Sequence, residues 1–219
     1  MLKQRLECVE ERICRASQRS GRARTGLTLL AVTKKFSADV IREAYELGLR
    51  EFGENYVQEF ELKEPALQDL AAARFHLIGH LQSNKTKKAA ALFSVIQTVD
   101  SAKLAERLND CGRSLEVMLE VKMSGEASKS GAAPEEIPAL IDAIAACPNL
   151  RLTGLMTMPP WSDDAETSRP YFRRLRELAG RHKLTGLSMG MSHDLEVAIE
   201  EGATIIRIGT ALFGPRRKN

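Results

Sequence analysis

The sequence has no long apolar run. Nothing in it approaches the roughly 18 uncharged residues needed to cross a bilayer. The N-terminal stretch MLKQRLECVEERICRASQRS is charged throughout, so it does not read as a secretory leader. Cysteine is scarce. Cys8, Cys14, Cys111 and Cys147 are scattered, with no C-x-x-C pair. That pattern predicts free thiols and argues against a disulfide framework or a thiolate metal site. Neither sign of charge dominates, since 32 Lys and Arg face 29 Asp and Glu for a net charge of +3. Such a balance gives no reason to expect nucleic acid or a membrane surface as partner. The expected location is the cytoplasm, and the expected state a monomer or weak dimer.

What is present is a regular alternation. Hydrophobic residues make up 43% and charged residues 28% of 219 positions, as in an ordinary globular chain. An opening helix is predicted over 2–19, with Leu6, Val9 and Ile13 on one face. Short apolar, β-rich runs then alternate with helical patterns. The predicted strands are 27–33, 50–53, 75–78, 94–99, 115–122, 151–156, 186–189 and 204–208. Helices are predicted after each, with Ser37 and Ser101 at N-cap positions, Gly48 and Gly202 as stops, and Pro65 interrupting the helix over 56–70. Eight βα units without a linker predict one (β/α)₈ barrel spanning 1–219. The alternative is an open doubly wound sheet, but its G-x-G-x-x-G is missing after the first strand, which runs into Thr33-Lys34-Lys35.

In such a barrel the reactive groups sit where strands end, and phosphate is often held after strands seven and eight. The strand ends here carry Lys34, Glu54-Asn55, Gly79-His80, Ser188 to Ser192, and Arg207 to Thr210. Gly190 with Ser192, and Gly209 with Thr210, each open a helix. Glycine permits close backbone approach, helix-start N–H groups attract anions, and the hydroxyls can cap or donate. The pair is read either as a phosphate cup or as two ordinary strand-to-helix turns. Lys34 follows the apolar run LTLLAVT, where a lysine either snorkels to solvent or sits in a site. A desolvated amine there can attack an aldehyde and form an imine. Strand alternation predicts that Lys35 points the other way. Arg207 is expected to face inward, opposite either a polar cofactor atom or a structural partner such as Glu54 or Asp100. His76 and His80 are four apart on a strand and the loop after it, so helical metal-ligand spacing does not apply. The loop 125–131 has the polar composition of a mouth cover, and Arg216, Arg217 and Lys218 read as a solvated tail.

The segments AVTK (31–34), FGENYVQE (52–59), FHLIGHLQSNK (75–85), SGEASKSG (124–131), GLMTM (154–158), LSMGMSHD (187–194) and RIGTALFG (207–214) together resemble the pyridoxal 5′-phosphate (PLP) homeostasis protein family. The blocks recur in order along nearly the whole chain. The resemblance implies a barrel like the alanine racemase N-terminal domain (PLP fold type III). It implies PLP on Lys34, with contacts from Asn55, Ser188, Ser192, Arg207, Gly209 and Thr210 and the phosphate near the last two strand ends. It also implies a role in vitamin B6 balance without a firm enzyme activity, and PLP-dependent apo-enzymes as candidate recipients. Three positions depart from the family pattern. Phe36 stands where a second lysine is usual, His193 where an acidic or small residue is frequent, and the end GPRRKN lacks a tyrosine.

Three functions follow as expectations. The first is a carrier holding PLP as a Schiff base. The second is a PLP-dependent racemase or decarboxylase, against which stands the lack of a second acid/base, because Tyr45, Tyr56 and Tyr171 fall in predicted helices. The third is a class I aldolase in which Lys34 meets its substrate directly.

Overall fold

Eight parallel strands pair in sequence order and close on themselves, β1 to β8 and back to β1. The computed structural model describes residues 1–124 and 130–215. The strands are β1 (Thr28–Val32), β2 (Glu51–Glu54), β3 (Arg74–Leu77), β4 (Val95–Val99), β5 (Leu115–Glu120), β6 (Leu150–Met156), β7 (Gly186–Met191) and β8 (Ile205–Ile208). The helices are α1 (Leu2–Arg19), α2 (Ala38–Glu46), α3 (Val57–Lys63), α4 (Thr86–Leu92), α5 (Ala102–Asn109), α6 (Ile137–Ala145), α7 (Arg169–Arg181), α8 (Leu195–Glu200) and α9 (Thr210–Phe213). The last pairing sets Leu30 opposite Arg207 and Ala31 opposite Ile208. The open doubly wound sheet is therefore excluded. Most of the polar loop over 125–131 and the basic tail 216–218 lie outside the described residues.

Alternation along each strand sorts side chains into two cores. Outward residues such as Phe52, Leu77, Ile96, Val117 and Ile206 join helix residues in the main cluster. Within it, Phe60 of α3 packs its ring 4.4 Å from Phe75 and 4.9 Å from Phe93. Each such buried side chain contributes roughly 1.5–3 kcal/mol, so this layer between sheet and helices dominates stability. A separate small cluster, Leu30, Val32 and Ile78 with Ile205, fills part of the lumen.

The helix α1 lies outside the repeating pattern. Its Val9, Ile13 and Ala16 are buried, on the stripe that their spacing predicts. Arg12 forks onto Glu196 of α8 at 2.6 and 2.8 Å and reaches the Ser192 carbonyl at 3.1 Å. The extra helix is thereby fastened beside the end of β7.

Boundaries shift by a few residues. Pro65 does break the third helix, leaving α3 and a 3₁₀ turn over Glu64–Ala66. Ser37 and Ser101 occupy N-cap positions, but neither side chain caps. Strand β7 runs two residues further than predicted, to Met191.

Candidate functional site

The C-terminal ends of the strands surround a cavity of about 380 Å³ lined by Lys34, Asn55, Ser192, Arg207, Gly209 and Thr210. Six of the seven predicted site residues thus share one space. Val32, Phe36, Ile78, Met158, Trp161, Met191 and His193 supply most of the remaining wall.

Lys34 reaches this space from a turn. The Phe36 N–H donates to the Thr33 carbonyl at 3.1 Å, and Lys35 takes φ +65°. A left-handed lysine carries a strain on the order of 1 kcal/mol, so surrounding contacts must fix the turn. They do so from α3. Lys63 Nζ donates to the Thr33 carbonyl at 3.1 Å, to Glu54 at 2.9 Å and to Glu59 at 2.6 Å. Glu59 in turn accepts the Lys35 N–H, and the Thr33 hydroxyl donates to Glu54 at 2.7 Å. Burial pushes the Glu54 carboxyl above its ordinary range, with the Lys63 ammonium acting in the opposite direction. The two adjacent lysines are therefore separated by a turn rather than by strand alternation. Phe36 packs 5.0 Å from the Phe213 ring.

Arg207 is 3% exposed. It pairs with neither Glu54 nor Asp100. Its guanidinium donates to Ser188 Oγ at 2.9 Å and to the Thr157 carbonyl at 2.8 Å. Burial lowers its pKa to about 10, with Asp194 and Glu120 acting the other way, so it remains cationic at neutral pH. Ser188 lies beneath Arg207 and does not line the cavity. Its hydroxyl donates to Gln97 Oε1 at 2.6 Å. Gln97 Nε2 stands 2.8 Å from His76 Nδ1, and His76 Nε2 stands 2.5 Å from Glu51. With the Gln97 amide donating to Nδ1, the single proton of a neutral His76 sits on Nε2. A polar column thus runs down the lumen, each group donating to the next.

The ends of β7 and β8 are tied together, because the Ala211 N–H donates to the Ser192 hydroxyl at 3.2 Å. Gly209 and Thr210 face the cavity, whereas Gly190 does not. A Cβ at Gly190 would meet the Ala198 Cβ at 2.3 Å, and its φ is +89°. Of the two readings left open by the sequence, that glycine therefore takes the structural one and serves the close packing of α8 on β7. Two buried polar atoms by the cavity, Asn55 Oδ1 and His193 Nε2, have no hydrogen-bond partner. His193 leans on Trp161 at 5.0 Å. Sequence reasoning missed Lys63, Glu59, Gln97, Thr157 and the rim residues Met158 and Trp161. His80 lies 4.0 Å from Asp100, and no metal-type cluster occurs among the described residues. No helix of the described residues is long and apolar enough to cross a membrane.

Residues 6–217 match the family described as alanine racemase, N-terminal domain. A pyridoxal phosphate homeostasis protein of Pseudomonas aeruginosa is 49% identical over 214 residues, covering 95% of this chain and 93% of the relative. A protein of the same name from Aquifex aeolicus is 44% identical, covering 98% of each. Among solved structures, PipY of Synechococcus elongatus with PLP bound superposes with a TM-score of 0.85 at 37% identity, covering 98% of this chain and all of PipY. The chain therefore belongs to the alanine racemase N-terminal domain family and, within it, to the pyridoxal phosphate homeostasis proteins.

Proposed function

We propose that this chain holds PLP as a Schiff base on Lys34 and acts as a cytoplasmic reservoir that yields the cofactor to apo-enzymes, rather than as a catalyst. The observation that carries this reading is the meeting of Lys34, Arg207 and the Gly209-Thr210 turn in one cavity. The volume suits a small phosphorylated ring. The partnerless Asn55 Oδ1 marks a place for a polar ligand group, since buried polar atoms are ordinarily satisfied.

PLP brings an aldehyde and an electron-withdrawing ring; the remaining work falls to this chain. Lys34 supplies the amine. Ser192, Gly209 and Thr210 would hold the phosphate. Asn55 adds a polar contact. Arg207, which can only donate, would hold the ring nitrogen unprotonated, and so weaken the ring as an electron sink, if the cofactor placed that atom against it. Ser188 acts through Arg207. No tyrosine lines the cavity among the described residues: Tyr45 lies in α2, Tyr171 in α7, and Tyr56 just before α3. The arrangement favours holding over turnover, as do relatives named for homeostasis.

Absorption spectroscopy tests the reading. PLP added to the cofactor-free protein is expected to give a yellow species that moves to an added apo-enzyme. Steady turnover of an amino acid would instead indicate a racemase or decarboxylase. A colourless protein trapped by a sugar phosphate would indicate an aldolase.

A further inference from the structure

Beside the first cavity lies a second chamber of about 350 Å³, lined by Glu120, Lys122, Ser130, Met158, Trp161 and Met191, among others. The two share Met158, Trp161 and Met191 as a partition. Glu120, the last residue of β5, is 3% exposed, and its Oε2 has no hydrogen-bond partner. Among the described residues no cation lies within ion-pair distance of it. Arg207, the nearest buried cation in electrostatic terms, already donates to Ser188 and Thr157. Buried polar atoms are ordinarily satisfied, so a partnerless Glu120 Oε2 at a chamber wall marks a place for a ligand donor.

We propose that this chamber binds a small primary amine, its ammonium on Glu120 and its apolar body against Trp161, Met158 and Met191. A lone carboxylate suits an ammonium; a metal ion would need further anionic ligands. The walls around it are mostly apolar. Trp161 is 70% exposed at the rim, where its indole face can meet both the hydrocarbon and the charge of an incoming amine. Burial, with Asp100 adding to it, raises the Glu120 carboxyl to about 7. At neutral pH the group is therefore poised between forms, and an ammonium selects the ionised one. Lys122 lines the same chamber and is the one described lysine there that could compete with an incoming ammonium. The chamber opens beside Lys34's cavity, which brings an amine ligand next to the aldehyde site proposed above; the binding claim itself stands without the cofactor.

The test uses the full chain freed of cofactor. Trp161 is the single tryptophan and borders both cavities, so its emission reports on binding at this end of the barrel and the Glu120→Gln variant assigns the response to the second chamber. Cyclohexylamine at pH 8 is expected to change that emission saturably. Cyclohexanol, the neutral counterpart, is expected to bind about tenfold more weakly or worse, as a charge-assisted hydrogen bond predicts. Glu120→Gln should weaken the amine by a similar factor, and Lys122→Met should leave it equal or tighter. Equal titration by amine and alcohol in the unaltered protein overturns the proposal without reference to any variant. So does an amine response that survives in Glu120→Gln or disappears in Lys122→Met. Because no PLP is present, failure here leaves the Lys34 reading untouched, and the converse also holds.

Discussion

Ser188 Oγ lies 2.9 Å from the Arg207 guanidinium and 2.6 Å from Gln97 Oε1, so a single hydroxyl joins the cavity floor to the column below it. The hydroxyl accepts from an obligate donor and spends its own proton on the amide. Ser188→Ala removes both contacts and leaves a buried guanidinium N–H without its acceptor. The expected loss is about 1–3 kcal/mol, read as a lower urea midpoint at unchanged slope. PLP should also bind more weakly, because Arg207 is then held by Thr157 alone.

The Lys34 turn is tested through α3. Lys63 is the common partner of Glu54, Glu59 and the Thr33 carbonyl. Lys63→Met strands the buried Glu54 carboxyl and should destabilise the fold by about 3–5 kcal/mol. The double variant Lys63→Met/Glu54→Gln removes the charge as well, and much of that stability should return. PLP affinity should remain impaired in both, since the Thr33 carbonyl loses its tether either way. A denaturant titration beside a PLP titration separates the two effects.

Glu120 predicts a pH dependence of stability. Its folded-state pKa is raised from 4.5 to about 7, mainly by burial. The native state therefore retains a proton that the unfolded chain has released. Stability falls as pH rises from about 4.5 to 7, and the full penalty, up to roughly 3 kcal/mol, persists above 7. Glu120→Gln removes the titration. Thermal melts should show the variant more stable than the unaltered protein at pH 8 and close to it at pH 4.5.

Two glycines separate packing from binding. Gly190→Ala meets both a positive φ and the 2.3 Å approach to Ala198, so a loss of roughly 2–5 kcal/mol is expected. Gly209→Ala finds its nearest neighbour, Val32 Cβ, at 3.6 Å, an ordinary contact. Its stability should change by about 1 kcal/mol or less, while the new methyl narrows the cavity and weakens PLP. Melting temperature and ligand titration on the two variants should therefore move in opposite proportions.

The barrel was legible because its signal is local. Alternating apolar runs and helical stripes name eight βα units, and the barrel rule then points to the strand ends. Lys34 showed itself by following an apolar strand, and Arg207 by carrying charge at an inward position. The supports were not legible because they join distant positions: Ser188 and Gln97 are 91 residues apart and Lys63 and Thr33 are 30 apart. Gln97, within VIQTV, reads as one polar residue in an apolar strand until the lumen places it between Ser188 and His76. Gly190 stayed open between two readings for a related reason. A glycine before a helix invites a ligand interpretation, and only the helix–strand spacing reveals its packing role. The Lys34–Lys35 turn was hidden too, since a left-handed lysine leaves no trace in composition.

The central claim is that one amine, that of Lys34, carries the cofactor. Borohydride reduction of the PLP-loaded protein, followed by peptide mass spectrometry, measures this directly. The expected result is the reduced adduct on the peptide containing Lys34, lost in Lys34→Ala and retained in Lys35→Ala. An adduct that persists in Lys34→Ala, or one mapped to another lysine in the unaltered protein, contradicts the account.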